Sequence, residues 1–523
     1  MRQARWYGAA CALWIGCTAV YFVTAPGRID MVDGAIRYEI TDSLLHHGRF
    51  DILNSFTPGT PGRGGRHYSY YPIGTPLLSL PFLAAGSWLG HDALESKQFA
   101  FSLTSVPFAA ATVATLFLIF GRLGCSPSRA AGWALVAAFC TPVWVYAGSS
   151  FDVAQQTLFI LVAVWAAVEA FANDSLRWAM ASGLSFALLI NVQETYVVLA
   201  ACVADVAPAT ARTVWERLTN RVTITIFGLL AAGLAAVLAY NAFKFGNPLN
   251  TGRGTVPHPL VGNPAVGLAG LLVSPAKSIF LYCPVYACAL LGLWRLLRSD
   301  RQRYAPITAC LAIHIAMIST LKFWAGEWAW GPRYLIASVP LACVGLPFAA
   351  ASRRGMRAVT GVCAVSLAVQ LLAISVDHQR YYLERSYYPF FWVNESTMYM
   401  DSPLLARPGE LLEIAGGRDL ARVRYYVPSE RFFSMTSSTY GPPLAARRNV
   451  PEWMRQFLVF VVPRPWPIWS QFLAPSDRPG PTGTMTAIGV LTAAAAFALL
   501  WWLVRPERSS ALESLKHEQM VEA

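Results

Sequence analysis

Asp33 and Arg37 stand four residues apart in "VDGAIRYEITDSLLHHGRFDI", which begins at Val32, a few residues after an apolar run long enough to cross a bilayer. A carboxylate at that depth can take a proton from a hydroxyl or amine, and an arginine there can hold an anion. Residues of the same kind recur along the chain. "SSFDVAQQ" offers Asp152, "NVQE" offers Glu194, "SPAKSIFLYCP" offers Lys277, and "KFWAGEWAWGPRYL" crowds Trp324, Glu327, Trp328, Trp330 and Arg333 together. Arg66, Tyr68, Tyr70 and Tyr71 lie in "TPGTPGRGGRHYSYYPIGTPLLSLP", a glycine-rich patch running into an apolar segment too short to span. Cations at headgroup depth suit a lipid-linked phosphate, and a nearby carboxylate suits activation of an attacking group. The chemistry implied is displacement of a phosphate from a sugar carbon, with the cations stabilising the charge that builds on the leaving group.

Each residue also has a plainer role. Asp33 and Arg37 at helical spacing could form a surface pair worth about a few tenths of a kcal/mol. Asp152 is placed to cap the helix that follows it. Tryptophans in a loop between spans often form an interfacial belt. Arg333, just inside a helix start, is harder to explain that way, because an arginine near lipid seeks a phosphate or carboxylate.

The elements that must position these residues are membrane helices. Hydrophobic residues make up 55% of the 523-residue chain and charged residues 13%, with a mean hydropathy of +0.42, which excludes a soluble globular protein. The net charge of +12 sits mainly in short loops, the pattern of a topology determinant and not of a nucleic-acid surface. Most of the ten cysteines fall in apolar runs and read as small buried hydrophobes, not as disulfides or metal ligands. The first run, about residues 7–25, follows Arg2 and Arg5 and reads as an uncleaved helix.

Further spans are expected at roughly 98–120, 130–147, 153–172, 178–208, 222–243, 278–297, 304–322, 333–351, 358–376 and 484–504. The 178–208 run is too long for one span and holds the polar knot Asn191-Val192-Gln193-Glu194. Read as a hairpin, it brings the total to about 12 spans and keeps the arginine clusters and both termini in the cytoplasm. Val32, Ile36, Ile40 and Leu44 recur at helical spacing, so an amphipathic helix on the membrane surface is expected there, stopping at Gly48. His46 and His47 lack a third ligand at metal spacing, and no metal ligand is assigned. Arg253 and His258 share an outward loop and receive no role. The aromatic "WMRQFLVFVVPRPWPIWSQFL" is expected to lie on the membrane.

The order of an N-terminal span, an acid-bearing helix ("VDGAIRYEI") and an aromatic-Pro re-entry ("YSYYPIGTPLLSLP") resembles the GT-C glycosyltransferases that use polyprenyl-phosphate sugars. Protein O-mannosyltransferases and lipid A aminoarabinose transferases are branches of that family. "NPLNTGRG", "SPAKSIFLYCP" and "EWAWGPRYL" resemble a bacterial subgroup. The resemblance covers about residues 1–376 and implies an all-α polytopic GT-C-like bundle with extracytoplasmic amphipathic helices and a mixed C-terminal outer segment. The domains expected are residues 1–376 as the transmembrane catalytic unit with 26–97 as its first outer loop, 377–483 as an extracytoplasmic segment, and 484–523 as a last span and tail.

By that resemblance Asp33 is the first-loop acid that positions or deprotonates the acceptor and Asp152 the second acid, a catalytic pair. The residues themselves suggest Arg37, Arg66, Tyr68, Tyr71, Glu194, Lys277, Trp330 and Arg333 as substrate-binding. The donor implied is a polyprenyl-phosphate-linked sugar. The acceptor implied is a lipid, glycan or protein of the cell envelope, at the outer face of a bacterial cytoplasmic membrane. A divalent cation is left open. The chain departs from the family at two points. Gly34 follows Asp33 where relatives commonly show a second acid, and Asn191-Val192-Gln193-Glu194 stands where relatives often carry a cation. A transporter or flippase would instead bury charges along a mid-membrane path. A non-catalytic scaffold would keep the architecture alone.

Overall fold

Within a bilayer every backbone polar group must find its partner inside its own segment, so apolar runs of this length fold as helices. The computed structural model describes residues 2–27, 29, 32–53, 59–92, 94–204, 219–253, 261–326, 329–375, 402–415 and 482–505. Expectations for Glu327, Trp328, His258, residues 453–473 and most of 377–483 lie outside these.

The first half of the chain supplies α1 (Arg2–Thr24), α2 (Val32–His47), α3 (Gly74–Leu89), α4 (Leu94–Ser102), α5 (Ser105–Arg122), α6 (Pro127–Phe139), α7 (Val143–Ala147), α8 (Val153–Asn173) and α9 (Leu176–Val192). A two-stranded antiparallel ribbon, β1 (Thr60–Pro61) with β2 (His67–Tyr68), pairs Thr60 with Tyr68. Among the later helices are Arg221–Phe245, Val285–Ser299, Arg301–Ser319, Arg353–Ser375, Pro403–Ala415 and Thr482–Val504.

Six helices among the described residues are long and apolar enough to cross a membrane: Gln3–Thr24, Ser96–Arg122, Val153–Asn173, Arg221–Phe245, Arg353–Ser375 and Thr486–Val504. The protein is thus a multi-pass, predominantly helical membrane protein. Several runs drawn as single spans are broken by the residues that physics would choose. Pro142 separates α6 from α7, and Pro284 starts the helix Val285–Ser299 after a short turn. The 333–351 run is cut into Arg333–Ile336, Val339–Cys343 and Leu346–Phe348, with Pro340 and Pro347 in the first turns of the last two. The polar knot ends α9 at Val192. Gln193 is extended, and the chain resumes as a tight 3-10 turn, Glu194–Ala200.

Packing follows small residues. Thr482–Val504 lies along α1 with Phe497 over Gly16, and α9 meets Arg221–Phe245 where Ala187 faces Gly233. α8 runs through the centre, flanked by α5 and α9. At about 1.5 Å per residue its length matches a bilayer core.

The surface helix expected at 32–47 is a helix, and Gly48 ends it in the left-handed region at φ 62°. It is not a surface helix. Ile36 and Ile40 pack against Ile52 and Tyr71 from the returning loop, while Tyr38 packs on Leu83 and Phe101 of α3 and α4. Arg37 and Thr41, expected on its wet side, are buried as well. The 59–73 loop and the α3–α4 pair close over both faces, so the helix carries its charged residues into the protein.

Candidate active site

Gly34 explains how α2 reaches the start of α8. A side chain there would drive into Ser150 and press on Ile29, so glycine lets α2 seat directly on the Ser149–Asp152 junction. The seating brings Arg37 to Asp152, 115 residues away: Nη2 of Arg37 donates to Oδ2 of Asp152 at 2.7 Å, with both side chains buried. Asp152 does stand at the N-terminus of α8, but it makes no side-chain capping bond. Its carboxylate faces the arginine instead. Arg37 likewise passes over Asp33, one turn back on its own helix.

Asp33 faces Arg333, whose Nη1 lies 3.5 Å from its Oδ2. Gly326 and Gly331 both adopt positive φ, and Gly326 lies directly against the Arg333 side chain, where any added carbon would crowd it. The Arg333 guanidinium stacks 3.7 Å from the Phe151 ring centre and donates to the Tyr334 hydroxyl at 2.9 Å. Burial and the Asp33 charge push the Tyr71 phenol well above its usual range, so it stays protonated and hydrogen-bonds Asp33. Burial also raises the Asp152 carboxyl, opposed by Arg37 and reinforced by Asp33.

A second pair adjoins the first. Arg253 lies 3.3 Å from Glu194, just past the break at Gln193, and its guanidinium sits 5.8 Å from the Tyr71 ring and 5.9 Å from Tyr70. Arg37 approaches Tyr71 to 4.1 Å, so one ring borders both pairs. Such contacts contribute on the order of 0.5–2 kcal/mol each. Behind them Tyr196 donates to Gln156 at 3.0 Å and rests edge-on against His314.

The cluster does not satisfy itself. Nε and Nη1 of Arg37, Nε and Nη2 of Arg253, and Oε2 of Glu194 are buried without a hydrogen-bond partner among the described residues. Orphaned polar atoms cost roughly 1–3 kcal/mol each, more when charged. Three arginines and three carboxylates with spare donors and an acceptor form a site prepared for a polar, anionic ligand. Each carboxylate is faced by an arginine, and no group of three metal-ligating side chains occurs among the described residues.

The expected site residues divide. Asp33, Asp152, Arg37, Tyr71, Glu194 and Arg333 come together. Lys277 and Trp330 are buried beneath the turn that carries Arg333: Lys277 donates to the Ala329 carbonyl at 2.7 Å, and the Trp330 carbonyl accepts from Tyr146 at 2.8 Å. Arg66 is exposed and lies 3.9 Å from Asp51. Tyr68 packs edge-on against Phe243 and Phe245. Arg253, Lys244, Tyr70 and Tyr334 had no role assigned from sequence. "NPLNTGRG" was the signal for Arg253; the others carry none by themselves.

No protein-family model matches the chain, and no curated protein matches it. Among solved structures it is similar to ArnT from Cupriavidus metallidurans bound to undecaprenyl phosphate, at 12% identity over 95% of this chain and 76% of that one, with a TM-score of 0.47. The apo state of the same protein gives 0.48 over the same shares. The archaeal oligosaccharyltransferase AglB from Archaeoglobus fulgidus, in complex with an inhibitory peptide and a dolichol-phosphate, matches at 12% identity over 96% of this chain and 55% of that one, with a TM-score of 0.34.

Proposed function

We propose that this protein is a GT-C-type membrane glycosyltransferase. In this reading about 12 membrane segments hold a site at the outer face of a bacterial cytoplasmic membrane, with both termini inside. It moves a sugar from a polyprenyl-phosphate donor to a cell-envelope acceptor. The observation that carries the reading is the buried acid–arginine cluster with its orphaned donors.

The acceptor hydroxyl or amine attacks the anomeric carbon and gives its proton to Asp33, and the bond from that carbon to the phosphate oxygen breaks with its electron pair leaving on the phosphate. An in-line displacement puts base and leaving group on opposite sides of the sugar. Asp33, Asp152, Arg37 and Arg333 therefore make the acceptor end. Arg253, on the far side of Tyr71, meets the phosphate through its spare donors. Tyr71 and Tyr70 border the sugar, and Oε2 of Glu194 accepts from a sugar hydroxyl. Lys277 and Trp330 hold the turn that aims Arg333. Arg66 and Tyr68 belong to the rim.

Mass spectrometry of polyprenyl-phosphate lipids from cells lacking the protein tests the reading. One lipid-linked sugar should accumulate, wild type should clear it, and Asp33→Asn should not. Unchanged lipids in every strain would move transport or scaffolding ahead.

A further inference from the structure

Lys244 occupies the last turn of the helix Arg221–Phe245 and is 1% exposed. Its ammonium donates to the carbonyls of Ser69 at 3.0 Å and Tyr71 at 3.4 Å, and lies 4.4 Å and 4.9 Å from the ring centres of Tyr240 and Phe245. Among the described residues no carboxylate stands within ion-pair distance of it; Glu194 acts on it only through its field, and Arg253 opposes. A buried ammonium without an acid costs several kcal/mol, which two carbonyls and two rings repay only in part. A leucine or methionine would fill the place at lower cost. The lysine therefore needs a reason beyond packing.

Its position supplies one. The two carbonyls belong to the turn that follows β2 and carries Tyr71, the ring that touches Arg37 and Arg253 and bonds Asp33. The Tyr71 amide is already tied to the Ser69 hydroxyl at 3.0 Å, so Lys244 closes the other side of the same turn. Charge gives a second reason. Arg37, Arg253 and Arg333 are matched by Asp152, Glu194 and Asp33, and Lys244 is the cation left over. A phosphodiester carries a single negative charge, so the site is neutral once one is bound.

We propose that Lys244 is a positioning residue: it fixes Tyr71 between the two ion pairs and supplies the unmatched positive charge against which the phosphate of a polyprenyl phosphodiester, or of the phosphomonoester left after transfer, is held. This rests on the reading of the site as a polyprenyl-phosphate site, and the test separates the two.

The full-length protein, purified in detergent, is titrated with undecaprenyl phosphate and with undecaprenol, its neutral counterpart. Thermal unfolding in the same detergent checks each variant. Wild type should prefer the phosphate. Lys244→Gln and Lys244→Met should lose about tenfold of that preference, the size of one modest electrostatic contact, while binding undecaprenol as before. Lys244→Arg should restore it. A folded Lys244→Gln with wild-type preference overturns the proposal, as does a folded Lys244→Arg that has lost it. That second arm decides the matter if the neutral variants do not fold. A wild type that binds both lipids equally sinks the polyprenyl-phosphate reading, and this proposal with it.

Discussion

Two acid–arginine clusters sit at opposite ends of α8, and they are built to different standards. Near its last turn, Glu169 is buried, with Oε2 accepting from Arg122 at 2.8 Å and Oε1 from Arg303 at 2.9 Å, while Asn173 donates to its carbonyl and carboxylate. Both oxygens are engaged, and three helices are stapled by one side chain. At the first turn, Asp152 belongs to a group in which two arginines and a glutamate keep buried atoms unmatched. In the first cluster the protein saturates the carboxylate and leaves one atom, Nε of Arg303, without a partner among the described residues. The several leftover atoms of the second go, in our reading, to a ligand. A buried charged cluster is thus informative through its leftover atoms more than through its ion pairs.

Substitutions should separate the two ends. Asp152→Asn should give the largest effect, lowering turnover on the order of a hundredfold or more by releasing Arg37 and the acceptor end, and costing about 3–5 kcal/mol of stability because both partners are buried. Because burial holds the Asp152 carboxyl above the ordinary carboxylate range near about 4, wild-type turnover should fall on acidification with a midpoint above that value. The sign follows from the ionised form being the one paired with Arg37; protonation removes it. A pH–rate profile checks this.

Glu169→Gln should cost stability and leave turnover alone. It should cost about 2–4 kcal/mol of stability, below the full penalty of a buried pair because Arg122 and Arg303 are partly exposed. Turnover per folded molecule should stay within about twofold. Thermal unfolding alongside an activity assay reads both quantities. Gly34→Ala should fall between the two, since the added carbon meets Ser150. About 1–3 kcal/mol of overpacking would be relieved by backing α2 away from the α7–α8 junction, with a severalfold loss of turnover. Arg66→Gln should give the smallest effect, within about twofold, because its partner Asp51 is held more closely by Arg49.

Local pattern made much of this legible and distance hid the rest. The helix at 32–47, its stop at Gly48 and the break at Gln193 follow from periodicity, glycine and a polar knot, all readable within a few residues. Asp33 and Asp152 stood out because acids are rare beside apolar runs. The pairing did not: spacing coupled Arg37 to Asp33, whereas the fold gives Arg37 to Asp152 and Asp33 to Arg333. Enclosure of α2 was invisible because its covers come from the 59–73 loop and from α3 and α4. Lys244 reads in sequence as a lysine at the end of a span, free to reach the headgroups. Only the Ser69–Tyr71 turn folded against it draws that lysine inward.

The most direct test is transfer by the purified protein supplied with polyprenyl-phosphate-linked sugars extracted from bacterial membranes, reading release of free polyprenyl phosphate. Wild type should release it, Glu169→Gln should match wild type per folded molecule, and Asp33→Asn should fall by about a hundredfold or more while unfolding at the wild-type temperature. Release by a folded Asp33→Asn within a few-fold of wild type would contradict the account, because the cluster at the start of α8 would then not be where the chemistry happens.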